Sequence, residues 1–123
     1  MSTALVIEDN MDNQMVSTIL LESAGHSVLV ADTGKDGYRM AVEQRPDFIL
    51  LDIQLPDMGG TEVLRLLRAD EATQEIPVIA VTSYAMAGDR ERLLAAGCNG
   101  YLEKPIDSDR FISQIENILG VEK

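Results

Sequence analysis

The stretch FILLDIQLPDMGG, from Phe48 to Gly60, combines a strand pattern with a loop pattern. Its first four residues are all apolar, as is typical of a β-strand that is covered on both faces. The strand pattern ends on an acid, Asp52, and Pro56 and the pair Gly59-Gly60 that follow interrupt regular structure. The stretch therefore predicts a central strand that carries a carboxylate at its carboxyl end.

The whole chain alternates short apolar runs with segments of helical spacing. The strand-like runs are ALVIE (4–8), SVLVA (27–31), DFILL (47–51), PVIAV (77–81) and the weaker GYLEK (100–104). The first helical segment has Met15, Val16, Ile19 and Leu20 on one side and ends at Gly25. The other four are about Asp36 to Arg45, the segment with Val63, Leu64, Leu66 and Leu67, about Asp89 to Ala96, and a last helix that opens at Asp107 or Ser108. This alternation predicts one α/β domain, residues 1–123, with a five-stranded parallel sheet and helices on both faces.

The composition is that of a soluble, acidic domain. Of the 123 residues, 46% are apolar and 25% are charged, and the formal net charge is −11. Such a surface repels nucleic-acid phosphates and anionic lipid, so we expect no direct binding to nucleic acid or membrane. Because no apolar run reaches the roughly 20 residues of a membrane span, and acids precede any signal-peptide pattern, we expect a cytoplasmic protein. A single cysteine excludes an internal disulfide, and the six methionines are expected to fill the core.

Polar residues follow the predicted strands at their carboxyl ends, which meet at one edge of an open parallel sheet. They are Glu8, Asp9, Asp52, Thr82 and Lys104. Three carboxylates at close range repel one another, so the group needs protons or a cation. Oxygen ligands favour a hard ion, Mg²⁺ or Mn²⁺, over zinc or copper.

Asp52 is the best candidate for a nucleophile, since it ends the most apolar strand. A carboxylate beside Mg²⁺ can attack phosphorus, and a lysine and a hydroxyl such as Lys104 and Thr82 can stabilise the charge of the transferred group. Each residue alone also fits an ordinary role, as an acid where a loop begins or as part of a salt bridge. Their convergence favours a functional site, but the pattern alone does not identify its reaction.

Four motifs give the chain a specific resemblance to a known family. They are V-I-E-D-N (6–10), L-L-D-I-Q-L-P-D-M-G-G (50–60), I-P-V-I-A-V-T-S (76–83) and Y-L-E-K-P-I (101–106). Over essentially its whole length the chain resembles the receiver domains of two-component response regulators. The resemblance implies a flavodoxin-like (βα)5 fold with strand order 2-1-3-4-5. Asn13 makes the chain similar to receivers of phosphorelays and hybrid kinases and to single-domain cell-cycle regulators.

The resemblance also implies a metal site and a phosphorylated residue. Asp52 would accept a phosphoryl group from a histidine kinase or a histidine phosphotransfer protein. Asp9, Asp52 and the backbone carbonyl of Gln54 would ligate Mg²⁺, and Glu8 would act mostly through bound water. Lys104 would pair with the phosphoryl group, and its bond to the following proline would be cis.

The resemblance further implies a switch. Thr82 would move toward the phosphate and Tyr101 would turn inward, which would reshape the fourth helix, fifth strand and fifth helix for a downstream protein. Tyr101 also fits a plain half-buried tyrosine. Gln54 and Tyr84 lie at positions that tune the phosphoryl lifetime in the family, and the sequence leaves that lifetime open.

Three other functions remain as alternatives. A Mg²⁺-dependent phosphohydrolase commonly has a second acid two residues after its nucleophile, where this chain has Gln54. A degenerate receiver that serves only as a binding surface is disfavoured because all the polar strand-end residues are retained. A flavin carrier is disfavoured because the first strand lacks a phosphate loop. We therefore expect a regulatory domain that acts only on its own aspartate and is not an enzyme of metabolism.

Overall fold

A computed structural model describes residues 2–83 and 89–120 of the chain. Five strands alternate with five helices, as predicted. The elements are β1 (Thr3–Ile7), α1 (Met11–Ser23), β2 (Ser27–Ala31), α2 (Gly34–Gln44), β3 (Phe48–Asp52), α3 (Gly60–Ala69), β4 (Val78–Thr82), α4 (Asp89–Ala95), β5 (Gly100–Glu103) and α5 (Phe111–Leu119). The strands are parallel in the order β2-β1-β3-β4-β5, which confirms both the fold class and the order that the resemblance implied.

Strand β3 lies at the centre of the sheet, between β1 and β4. Leu5 of β1 and Val78 of β4 both lie opposite Ile49. All five residues of β3 are buried, including Asp52, which is the last residue of the strand rather than the first residue of the loop. A continuous apolar run is what a strand with helices on both faces requires.

The two faces of the sheet carry separate cores. On one face, alternate strand residues such as Leu5 and Leu51 pack with Leu64 and Leu67 of α3. On the other face, Phe48 and Leu50 belong to a cluster that includes side chains of α1 and α5. Because successive side chains of a strand point to opposite faces, one run of apolar residues supplies both cores. Within the described residues, no helix is both long and apolar enough to cross a bilayer.

Helix α1 does not bury the face that its apolar residues suggest. Its buried residues are Ser17 and Leu21, whereas Met11 is 76% exposed, Met15 57% and Ile19 55%. Ser17 and Leu21 are four residues apart and share one side of the helix, and the exposed row lies on the opposite side. The expectation that methionines fill the core is therefore wrong for Met11 and Met15. Met40 and Met58 do pack against the core.

Helix α5 begins later than its predicted caps. Asp107 and Ser108 lie in a turn, and the helix starts at Phe111. The Asp107 carbonyl accepts hydrogen bonds from the amides of Arg110 and Phe111, at 3.1 and 2.9 Å, and its side chain accepts one from the Asp109 amide. Asp107 thus stabilises the turn that precedes the helix, where its side chain competes with helical hydrogen bonding.

Candidate functional site

Three acids meet at the carboxyl edge of the sheet. Glu8 and Asp9 follow β1, Asp52 ends the neighbouring strand β3, and one carboxylate oxygen from each lies within 4.8 Å of the others. We call these residues the acid cluster. Glu8 and Asp52 are buried, with Asp52 only 2% exposed, whereas Asp9 is open to solvent. The predicted convergence of these acids is therefore present in the structure.

Lys104 reaches the same place from the end of β5. Its ammonium lies 3.1 Å from Oε1 of Glu8 and 3.2 Å from Oδ2 of Asp52. Its backbone amide donates to the carbonyl of Thr82 at 2.8 Å, which fixes the start of its loop against β4. The bond from Lys104 to Pro105 is cis, as the resemblance implied. The two buried acids, at the ends of β1 and β3, therefore share one cation that comes from the end of the edge strand β5.

The pKa of Glu8 is raised to about 7. Burial is the main cause, and the hydrogen bond and negative charge of Asp52 add to it, while the amide of Asn10 and Lys104 oppose it. Burial works to lower the pKa of Lys104, but Asp52 and Glu8 outweigh it and the pKa is raised. At neutral pH the lysine is therefore an ammonium, and Glu8 is partly protonated.

The acid cluster fits a hard divalent cation. Its donors are all carboxylate oxygens, which Mg²⁺ prefers to nitrogen or sulfur ligands. Lys104 supplies one positive charge to two buried carboxylates, and Glu8 holds a proton at a pH where an ordinary glutamate has lost it. A cation beside the exposed Asp9 would supply the charge that this proton now supplies.

The raised pKa of Glu8 predicts that the metal-free protein loses stability as the pH rises. The folded state holds the proton up to about pH 7, whereas an unfolded glutamate loses it near pH 4.3. Between these values the folded state binds more protons, so the free energy of unfolding falls with pH, by roughly 3 kcal/mol from pH 5 to pH 8. Urea unfolding at pH 5 and pH 8 with a chelator measures this fall. Glu8→Gln should remove most of it, and an unchanged fall in that variant would contradict the assignment.

The carboxylate of Asp52 is fixed on both of its oxygens. Oδ1 accepts a hydrogen bond from the backbone amide of Gln54 at 2.9 Å, and Oδ2 pairs with Lys104. Beyond it, the amide of Gly60 donates to the carbonyl of Ile53 at 2.9 Å and closes the loop between β3 and α3. Gln54 thus contacts the acid cluster through its backbone amide, and its side chain is exposed. The role of its carbonyl as a metal ligand stays a prediction.

Thr82 and Tyr101 lie on the strands beyond Asp52. Thr82 is the buried last residue of β4, one position past Val81, which lies opposite Asp52. Tyr101 of β5 lies opposite Ala80 and is half-buried against the core. This position fits both the proposed switch and the plain half-buried tyrosine that the sequence also allowed. Tyr84 falls outside the described residues.

Three residues around the site were missed from the sequence. The side chain of Asn10 accepts from the amide of Asn13 and caps α1, a role that its place before the helix could have indicated. The side-chain amide of Gln14 donates to the backbone carbonyl of Glu8 and to the carboxylate of Asp32, which ties α1 to two loops at the sheet edge. Asp57 contacts α2 from the loop after β3. The contacts from Gln14 to Asp32 and from Asp57 to α2 join segments that are distant in sequence, so no local pattern indicates them.

An acid cluster at the carboxyl edge of a 2-1-3-4-5 parallel sheet, paired with a lysine from the last strand, defines a receiver domain. The family model for the response regulator receiver domain matches residues 4–116, and the chain belongs to that family.

Relatives and solved structures agree with this assignment. The chain is 42% identical over 118 residues to the polar-differentiation response regulators DivK of Brucella anthropi and Brucella abortus, and the match covers 96% of this chain and of each relative. The receiver domain of the sensor histidine kinase PA1611 from Pseudomonas aeruginosa is 38% identical, with a TM-score of 0.87 over 97% of this chain and 98% of that one, and holds a magnesium ion in its active-site cleft. The chemotaxis response regulator CheY4 of Vibrio cholerae is 26% identical, with a TM-score of 0.88 over 96% and 98%. The DivK relatives confirm the predicted similarity to single-domain regulators.

Proposed function

We propose that this receiver domain accepts a phosphoryl group on Asp52 from a phosphohistidine donor and then changes a protein-binding surface. The observation that carries the proposal is the fixed carboxylate of Asp52. It is buried, held by the Gln54 amide and the Lys104 ammonium, and lies at the carboxyl edge of the sheet, which is where open α/β sheets bind their ligands. In the transfer, an oxygen of Asp52 bonds to phosphorus as the bond from phosphorus to the histidine nitrogen breaks.

Mg²⁺, or Mn²⁺ in its place, would be held by Asp9, Asp52 and the backbone carbonyl of Gln54, with Glu8 acting through water. Bound there, the ion supplies charge stabilisation for the oxygens of the transferred group. The acid cluster and its proton on Glu8 support this, as does the magnesium ion in the cleft of the PA1611 receiver. Lys104 pairs with Asp52 before transfer and with the phosphoryl oxygens after it.

The domain acts on its own aspartate and has no separate substrate, so it is a regulatory module rather than an enzyme. Thr82 binds the phosphoryl group through its hydroxyl, and Tyr101 follows it inward. The affected surface consists of α4, β5 and α5, where a downstream protein binds. The positions of two residues support this switch. Thr82 ends β4 beside Asp52, and Lys104 connects the site directly to β5.

The donor is a protein, a histidine kinase or a histidine phosphotransfer protein, and we place its contact on α1. This helix begins two residues after Asp9, next to the acid cluster. Its outer side carries a row of exposed apolar side chains, Met11, Met15 and Ile19. Exposed apolar patches of this kind are typical of protein contacts, and this one is continuous with the phosphorylation site.

The proposal is tested with a small phosphodonor such as acetyl phosphate. With Mg²⁺, intact-mass measurement should detect one added phosphoryl group, and with a chelator it should detect none. The metal is required because its charge stabilises the transferred oxygens. Rapid, repeated hydrolysis of phosphomonoesters would instead indicate a phosphohydrolase. Absence of an adduct with every donor would indicate a degenerate receiver and would overturn the proposal.

A further inference from the structure

A carboxylate outside the acid cluster joins the loop after Asp52 to a helix that is distant in sequence. Oδ1 of Asp57 accepts a hydrogen bond from the backbone amide of Gly34 at 2.8 Å, and Oδ2 accepts one from the amide of Lys35 at 2.9 Å. These amides belong to the first turn of α2, where backbone donors have no partner within the helix. The local cap, the side chain of Thr33, accepts from the amide of Asp36. Asp57 therefore completes the cap of α2 from 23 residues away.

A second contact joins the same two segments. Gly34 is buried, and a Cβ placed on it would lie 2.6 Å from Cγ of Met58 and 2.7 Å from Cγ2 of Val63. The side chain of Met58 therefore lies directly on the backbone of α2, where only a glycine leaves room. Asp57 and Met58 are consecutive, so the tip of the loop is held by two hydrogen bonds and by packing. We call this pair of contacts the α2 clamp.

The other end of the loop leads directly into the site. The Gly60 amide closes its base on the carbonyl of Ile53, and the Gln54 amide holds Oδ1 of Asp52. The peptide units next to Gln54 thus lie between a fixed base and a fixed tip. With both ends held, the loop has few ways to turn those units away from the acid cluster.

The pKa of Asp57 is lowered by the hydrogen bonds from the backbone amides of Gly34 and Lys35. The α2 clamp therefore contains a charged carboxylate at neutral pH.

We propose that Asp57 is a positioning residue that sets the affinity of the site for Mg²⁺ by holding the loop that carries Gln54. Asp57 touches neither the ion nor the phosphoryl group. It acts by restricting the loop, so the carbonyl of Gln54 is already in place when the ion arrives and less ordering is needed on binding. The inference rests on the proposed function, in which that carbonyl is a metal ligand.

The test is a Mg²⁺ titration of the full chain, followed by calorimetry or by amide chemical shifts. Asp57→Ala should weaken Mg²⁺ binding by roughly tenfold, in the range of partners that orient metal ligands. Asp57→Asn keeps an acceptor oxygen and should lie between Asp57→Ala and the parent protein. The phosphorylation rate with acetyl phosphate should fall at low Mg²⁺ and recover at saturating Mg²⁺, because the chemical groups are unchanged.

Two further variants separate the clamp from simple loss of charge or of fold. Asp36→Ala removes an acid from the same turn of α2, one that pairs with Arg39 on the surface, and it should leave Mg²⁺ affinity within about twofold of the parent. Gly34→Ala pushes Met58 away from α2 and should weaken binding in the same direction as Asp57→Ala. Urea unfolding of each variant establishes that it is folded. If Asp57→Ala does not fold, the Mg²⁺ affinity of Asp57→Asn tests the inference in its place.

The outcomes are distinct. Parent-like Mg²⁺ affinity in folded Asp57 variants, or an equal loss in Asp36→Ala, would overturn the inference and leave the proposed function intact. Failure of the parent protein to bind Mg²⁺ at all would overturn both.

Discussion

Asp52→Asn is expected to abolish the phosphoryl adduct completely. The asparagine amide fits the same buried space but offers no anionic oxygen to phosphorus, and the other acids of the cluster do not take its place. Glu8 is buried and paired with Lys104, and Asp9 is exposed and not held by the Gln54 amide. Intact mass after incubation with acetyl phosphate and Mg²⁺ measures the loss. An adduct of equal yield in this variant would contradict the assignment of Asp52.

The same substitution should change the acid–base behaviour of the site. Asp52 raises the pKa of Glu8 through a hydrogen bond and through its negative charge, so its replacement should lower that pKa. The loss of stability between pH 5 and pH 8 should therefore be smaller than in the parent protein.

Asp47→Asn is the matched control for phosphorylation, since Asp47 precedes the same strand at the opposite edge of the sheet and accepts a hydrogen bond from the Thr3 amide. The Asp47→Asn variant should be phosphorylated on Asp52 at the rate of the parent protein.

Gly60→Ala is expected to destabilise the domain by about 2–3 kcal/mol and to disturb the acceptor. A Cβ at this position would lie 2.5 Å from Cα of Ile53 and 2.8 Å from the carbonyl oxygen of Asp52. Both are backbone atoms, so relief requires a shift of the end of β3 or of the start of α3. Phosphorylation with acetyl phosphate should slow as well, because Asp52 moves with its strand.

The adjacent glycine provides the control. A Cβ on Gly59 would meet only Oγ1 of Thr61, at 3.8 Å, and its φ of −66° suits alanine. Gly59→Ala should therefore change the free energy of unfolding by less than about 1 kcal/mol. Urea unfolding and phosphorylation rates of the two variants, measured together, test the difference. Equal stability of the two variants would contradict the close backbone contact at Gly60.

Much of the site was predictable because it depends on sheet topology. Parallel strands place their carboxyl ends at one edge, so the acids at the ends of β1 and β3 and the lysine after β5 were expected at that same edge. The order of the strands was not predictable from periodicity, since every order that keeps right-handed crossovers gives the same alternation. It came from the resemblance to receiver domains. The role of each site residue also came from that resemblance, and remains a prediction.

The rest was not predictable because it depends on contacts between distant segments. Helical spacing identified an apolar side of α1, but not that Ser17 and Leu21 would face the sheet instead. The capping of α2 by Asp57 spans 23 residues, and no local pattern in either segment signals it. The raised pKa of Glu8 depends on the depth of burial, which composition does not give.

The central position of β3 also determines where the domain opens first. Every residue of β3 is buried and the strand pairs on both sides, whereas β5 pairs on one side only and exposes Glu103. Backbone amides of a central strand exchange with solvent only when the whole domain unfolds, whereas those of an edge strand also exchange through local openings. The proposed acceptor therefore belongs to a central, persistent part of the sheet, and the proposed binding surface includes an edge strand that is expected to open more readily. If Asp52 is phosphorylated as proposed, hydrogen exchange of the β5 amides should change more than hydrogen exchange of the β3 amides.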